Sequence, residues 1–138
     1  MRDILMELYT LLSADAYVKS LVDNKSIKVD NYPEPSQQTK PYIVMSEVDD
    51  TLPREYADND NLALSYLIQV DVYAPLSTSY NAREVCKDLS YYISRLIKEQ
   101  LDMENVSNSQ PEYDKDLKIY RRAKRYEGIF YRKNLTNN

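Results

Sequence analysis

The chain has 138 residues, a net charge of −4, 43% hydrophobic and 29% charged residues, an ordinary composition for one globular domain rather than for disorder. It contains no histidine, one glycine (Gly128) and one cysteine (Cys86). These counts exclude Ser-His-Asp and Cys-His catalysis, glycine-rich phosphate loops, an internal disulfide and a zinc site built from cysteines.

Ile4, Leu5, Leu8, Leu11 and Leu12 follow helical spacing, which predicts an amphipathic helix over 2–13. The acids within this run and the absence of a small-residue cleavage site do not read as a signal peptide, so a reducing cytoplasm is the expected place of synthesis. No stretch is long and apolar enough to predict a membrane span. Ser13 or Asp15 is positioned to cap a second short helix carrying Tyr17, Val18, Leu21 and Val22. Ile27 and Val29 alternate with polar neighbours and predict an edge strand. Pro33 and Pro35 then predict a loop, because each proline restricts itself and the residue before it.

Residues 41–48 are rich in β-branched and aromatic side chains and predict a strand. Residues 49–61 are acidic and without period, which predicts a mobile acidic loop or hairpin tip. From Leu64 the alternation is strict: Leu64, Tyr66, Ile68, Val70 and Val72 share one face, Ser65, Gln69 and Asp71 the other, with Leu67 the apolar exception. Ser77, Thr78 and Ser79 are candidate caps for a helix over 80–98, whose apolar face is Ala82, Val85, Cys86, Leu89, Ile93, Leu96 and Ile97. Residues 101–116 are polar, broken by Pro111, and predict a connection. Residues 117–131 predict terminal strands with a bulge or turn at Gly128, followed by a loose tail over 133–138. The fold class expected is α+β: one domain over 1–138, a small antiparallel sheet with two main helices packed on one face.

Few residues offer chemistry. Asp58-Asn59-Asp60-Asn61 opens like a calcium loop, but Ala63 stands where the sharp turn needs glycine and Gln69 where a bidentate glutamate is needed, so no metal site is expected. Cys86, on an apolar helix face with no histidine to activate it, is expected to be a buried inert thiol. The fourteen tyrosines suit half-buried and interface positions, with Tyr91, Tyr92, Tyr120, Tyr126 and Tyr131 as candidates; edging a small core is the equal alternative. The charge is polarised. Lys118 to Lys133 holds seven basic residues against Glu127 alone, while the rest of the chain holds 11 basic and 21 acidic residues. Interleaved with tyrosines, the basic stretch could bind nucleic acid; it could equally meet the acidic part of the same or a neighbouring subunit.

The order of segments resembles a known family. An N-terminal helix, a short strand and a proline-bearing linker precede Lys40-Pro41-Tyr42-Ile43-Val44, a long loop and Leu67-Ile68-Gln69-Val70-Asp71-Val72-Tyr73-Ala74. A capped amphipathic helix and Arg125-Tyr126-Glu127-Gly128-Ile129-Phe130 complete it. Over residues 4–131 this resembles the tail terminator (tail completion, tail-to-head joining) proteins of bacteriophages with long non-contractile tails. The resemblance implies a structural virion protein, not an enzyme and without a cofactor, assembled in the host cytoplasm as a hexameric ring. Such a ring caps the head-proximal end of the tail tube, stops polymerisation of the tube protein, and presents a surface to the head or neck connector. DNA passes through its channel without specific binding.

A ring needs two different patches that match head to tail. The charge split suggests Arg121, Arg122, Lys124 or Arg125 of one subunit against Asp49, Asp50, Glu55, Asp58 and Asp60 of the next. The competing expectations are another head–tail connector or head-completion subunit, a small nucleic-acid-binding regulator using residues 118–133, and a carboxylate-dependent metal enzyme.

Overall fold

The computed structural model describes residues 2–49, 52–57 and 60–131, with backbone alone for 52–57 and 60–62. Among the described residues three α-helices and seven strands form an α+β unit. Helix α1 (Ile4–Ala14) starts at Asp3, whose carboxylate accepts the Met6 N–H at 3.2 Å, and buries Ile4, Leu5, Leu8 and Leu12. Helix α2 (Ala16–Leu21) is capped by Asp15, which accepts from Val18 N at 3.1 Å; Ser13, the other candidate, lies inside α1.

Strands β1 (Ile27–Val29), β2 (Tyr42–Glu47), β3 (Leu52–Ala57), β4 (Asp60–Pro75), β5 (Glu104–Asn108), β6 (Glu112–Asp114) and β7 (Ile119–Tyr131) make one sheet of order β1-β2-β4-β7-β5. Strand β3 lies beside β4, and β6 beside β7. Among the described strands β1 and β2 pair parallel and the other pairings are antiparallel. The central ladder joins β4 to β7 without a register shift from Ala63↔Tyr131 to Pro75↔Ile119. Of the two readings of 49–61, the backbone gives the hairpin: β3 pairs with the start of β4 from Leu52↔Ser65 to Ala57↔Asp60.

Three further expectations are corrected. Helix α3 (Ala82–Leu96) is capped not by Ser77, Thr78 or Ser79 but by Asn81, whose Oδ1 accepts Glu84 N–H at 3.1 Å. The helix then widens into a π turn over Ile97–Leu101. Ile93, Ile97 and Leu101 are spaced by four, which would drift off an α-helical face; the wider turn keeps all three buried. The polar connection 101–116 contains β5 and β6, whose residues are all exposed, so no apolar alternation marked them. Gly128 is not a bulge: it pairs in register with Tyr66. The irregularity falls instead in β5, between Asn105 and Ser107.

The helices cover one face of the sheet. Tyr66, Ile68, Val70, Val72 and Ala74 of β4 pack with Ile4, Leu8 and Leu12 of α1 and Cys86, Leu89 and Ile93 of α3 in a single apolar cluster. Cys86 is buried as expected, its Sγ donating to Val72 O at 3.4 Å, and burial pushes the thiol pKa up to about 11.

Candidate functional site

The helix-free face is built from the other half of each strand's alternation. Tyr42 stacks on Tyr73 at 4.6 Å between ring centroids, and Val44 and Ala123 flank Asp71 across the ladders. The linker before β2 folds over this face. Tyr32 reaches Asp71 at 3.5 Å, and Pro35 closes a cavity of about 90 Å³ with Tyr42, Tyr73, Leu117 and Ile119.

Asp71 is the organising residue. Its side chain is fully buried in mid-strand, yet both carboxylate oxygens accept hydrogen bonds. Oδ2 accepts Arg121 Nη2 at 2.9 Å and Nε at 3.3 Å, and Tyr73 Oη at 3.2 Å; Oδ1 accepts Gln69 Nε2 at 2.7 Å. Arg121 lies diagonally across the β4–β7 ladder and extends Nη1 to Glu112 of β6 at 3.4 Å, so one guanidinium ties three strands. Burial lowers the Arg121 pKa, but the hydrogen bond and charge of Asp71 more than offset it, and the net shift is upward. Burial also raises the Tyr73 phenol, with the negative charge of Asp71 adding to it.

The expected basic cluster divides between the two faces, because successive side chains of a strand alternate. Arg121 and Arg125 lie on the helix-free face, Arg125 Nε donating to Gln69 Oε1 at 3.1 Å. On the helix-covered face, Lys124 approaches Ser94 Oγ at 3.5 Å, and burial, then the neighbouring Arg122, lower its pKa. The four cations therefore do not form one patch, and Arg121 is held by its own chain. Among the acids, Asp49 is exposed just past β2, while Glu55 and Asp60 belong to the backbone of β3 and β4; Asp50 and Asp58 lie outside the described residues, as does the calcium-like start at Asp58. Asp60 precedes Gln69, the partner of Arg125, by nine positions on β4, about 30 Å of extended chain.

The tyrosines divide similarly. Tyr126 is core, its hydroxyl 2.6 Å from Ser94 Oγ, and Tyr92 donates to Asp15 at 2.8 Å, whereas Tyr91 and Tyr131 are exposed. Among the described residues no group of three metal-binding side chains converges, and no helix is long and apolar enough to cross a membrane. Sequence reasoning put Asp71 on the polar face but missed its role. The signal was a lone acid amid the most regular apolar alternation in the chain.

No protein-family model matches the chain, and no curated protein does. A solved structure superimposes over 96% of this chain and 96% of its own, with a TM-score of 0.55 and 14% sequence identity. At that identity the likeness establishes the fold alone.

Proposed function

We propose that this chain is a structural subunit that closes into a ring and terminates the tail tube of a long-tailed bacteriophage, joining the tail to the head or neck. The observation that carries the reading is the order of elements. The segments quoted for the tail terminator resemblance belong to one α+β unit, with capped α1, β1, the proline-bearing linker, β2, β4, capped α3 and β7 in chain order; where the resemblance has a long loop before β4, this chain has strand β3. The sheet ends in β1 on one side and in β5 and β6 on the other, two unlike edges that a head-to-tail contact could use.

In this role Asp71 and Arg121 perform no chemistry. Their pairing clamps β4, β7 and β6 so that the helix-free face presents a fixed shape. Native mass spectrometry and negative-stain electron microscopy of the purified protein test the reading. A ring of six copies of 16.2 kDa, about 97 kDa, is expected, and adding it to polymerising tube protein should arrest elongation. A particle that leaves tube growth unchanged overturns the assignment. Salt-sensitive DNA binding by a monomer would instead favour the regulator.

A further inference from the structure

The two edges of the sheet differ in charge, a lysine excess at one, where Asp30 and Glu34 are also exposed, and a carboxylate excess at the other. At the β1 edge, Lys19 on α2, Lys25 before β1, Lys28 on β1 and Lys40 before β2 line two adjoining open grooves in which Asp23 is the sole acid. Lys40 reaches Asp23 only at 3.8 Å, with both side chains well exposed. At the opposite edge, β5, β6 and their flanks carry Asp102, Glu104, Glu112, Asp114 and Asp116 against Lys115 and Lys118. Lys98 pairs with Glu104, and Arg121 with Glu112. The ion pairs of the described residues leave Asp114 and Asp116 without a basic partner.

Charged residues on edge strands commonly serve to prevent uncontrolled pairing. That purpose is met by any charges on either edge. It does not require the signs to be sorted, lysines on one edge and carboxylates on the other. Sorted signs are what a head-to-tail contact between identical copies needs, since each subunit then offers both halves of a complementary interface. The acidic edge also exposes Val106, Tyr113 and Leu117, which supply apolar area beside the charges.

We infer that the β1 edge of one copy docks on the β5–β6 edge of the next, with Lys25 and Lys28 facing Asp114 and Asp116. This rests on the ring reading above and gives it an interface different from the one the linear charge split suggested.

Charge exchange tests it. Lys25→Glu with Lys28→Glu places carboxylates at the docking point of the β1 edge, and Asp114→Asn with Asp116→Lys replaces the two carboxylates they would face with an amide and a lysine. Asparagine at 114 keeps an acceptor for the Asp116 and Leu117 N–H groups, both at 2.9 Å. Each variant alone should stay at 16.2 kDa, with ring association weakened at least tenfold, while circular dichroism shows both folded. Mixed in equal amounts, the two should regain rings by alternating around the circle. Rings formed by either variant alone, at wild-type stability, overturn the edge assignment and leave the ring reading standing. A wild-type chain that never exceeds its monomer mass overturns both. Intact rings with loss of duplex DNA retention in the lysine variant would make that edge a nucleic-acid surface instead.

Discussion

A carboxylate buried in the middle of a sheet is tolerable only when its donors are already in place, and Asp71 has five within 3.5 Å. Removing its charge leaves the Arg121 guanidinium, itself only partly exposed, with Glu112 as its one ion-pair partner among the described residues. Asp71→Asn should therefore lower unfolding free energy by about 3 kcal/mol, read by urea denaturation, the modest end of the range for broken buried pairs because Arg121 retains some water. Asp71→Leu combined with Arg121→Met should recover much of that loss, since an apolar pair leaves no buried unpaired charge and Glu112 is exposed to water. A second prediction concerns the tyrosines. Burial pushes Tyr42 up to about 12, and burial, partly opposed by the Ser94 hydroxyl, does the same for Tyr126. The folded chain then keeps protons that an unfolded tyrosine releases near pH 10. Stability should begin to fall near pH 9, where an unfolded thiol ionises while buried Cys86 keeps its proton, and fall more steeply between about 10 and 12, by about 1.4 kcal/mol per pH unit for each phenol. Urea midpoints across that window check it, and a flat profile would mean these phenols are not shielded. At this scale the sequence was legible only in part. Its alternation placed Asp71 on the polar face, but the donors to Asp71 come from positions up to 50 residues away, which no local pattern reveals.

Elements were legible where burial is one-sided. Helices α1 and α3 and strand β4 each show a single apolar face, and all three were anticipated to within a few residues. Strands β5 and β6 bury nothing of their own and exist because β7 offers hydrogen bonds along that side, so composition alone made them look like a connection. Gly128 was misjudged for a related reason: a glycine in a strand signals either a bulge or a close approach, and only tertiary packing decides. Here it is an approach. A Cβ at this position would lie 2.7 Å from the Phe130 ring and 2.8 Å from Met103 Cγ. The ring is boxed in by Tyr66 at 5.7 Å and Arg2 at 4.8 Å, and Met103 is fully buried, so neither yields freely. Gly128→Ala should cost about 1–3 kcal/mol as an overpacked site, measured by thermal or urea unfolding. Gly128→Ala combined with Phe130→Leu should recover part of it by vacating the space.

Over the whole molecule, charge that looks segregated along the chain is redistributed by folding. The basic run of residues 118–133 becomes mostly β7, an interior strand whose alternation sends Arg121 and Arg125 to one face and Lys124 to the other. Lysines scattered from 19 to 40 meanwhile gather at one edge, opposite the carboxylates of β5, β6 and their flanks. If rings are held by these edges, their stability must depend on ionic strength in a definite direction. The Debye length shrinks from about 10 Å at 0.1 M salt to about 3 Å at 1 M, which screens exposed lysine–carboxylate pairs but leaves apolar contact untouched. Sedimentation velocity in rising sodium chloride should show the ring of about 97 kDa give way to the 16.2 kDa subunit, with no change in the circular dichroism of the chain. The Asp71–Arg121 clamp is buried and should hold throughout, so subunits should come apart without unfolding. A ring that persists, or tightens, as salt rises would place its cohesion in apolar surface such as Val106, Tyr113 and Leu117 rather than in the sorted charges.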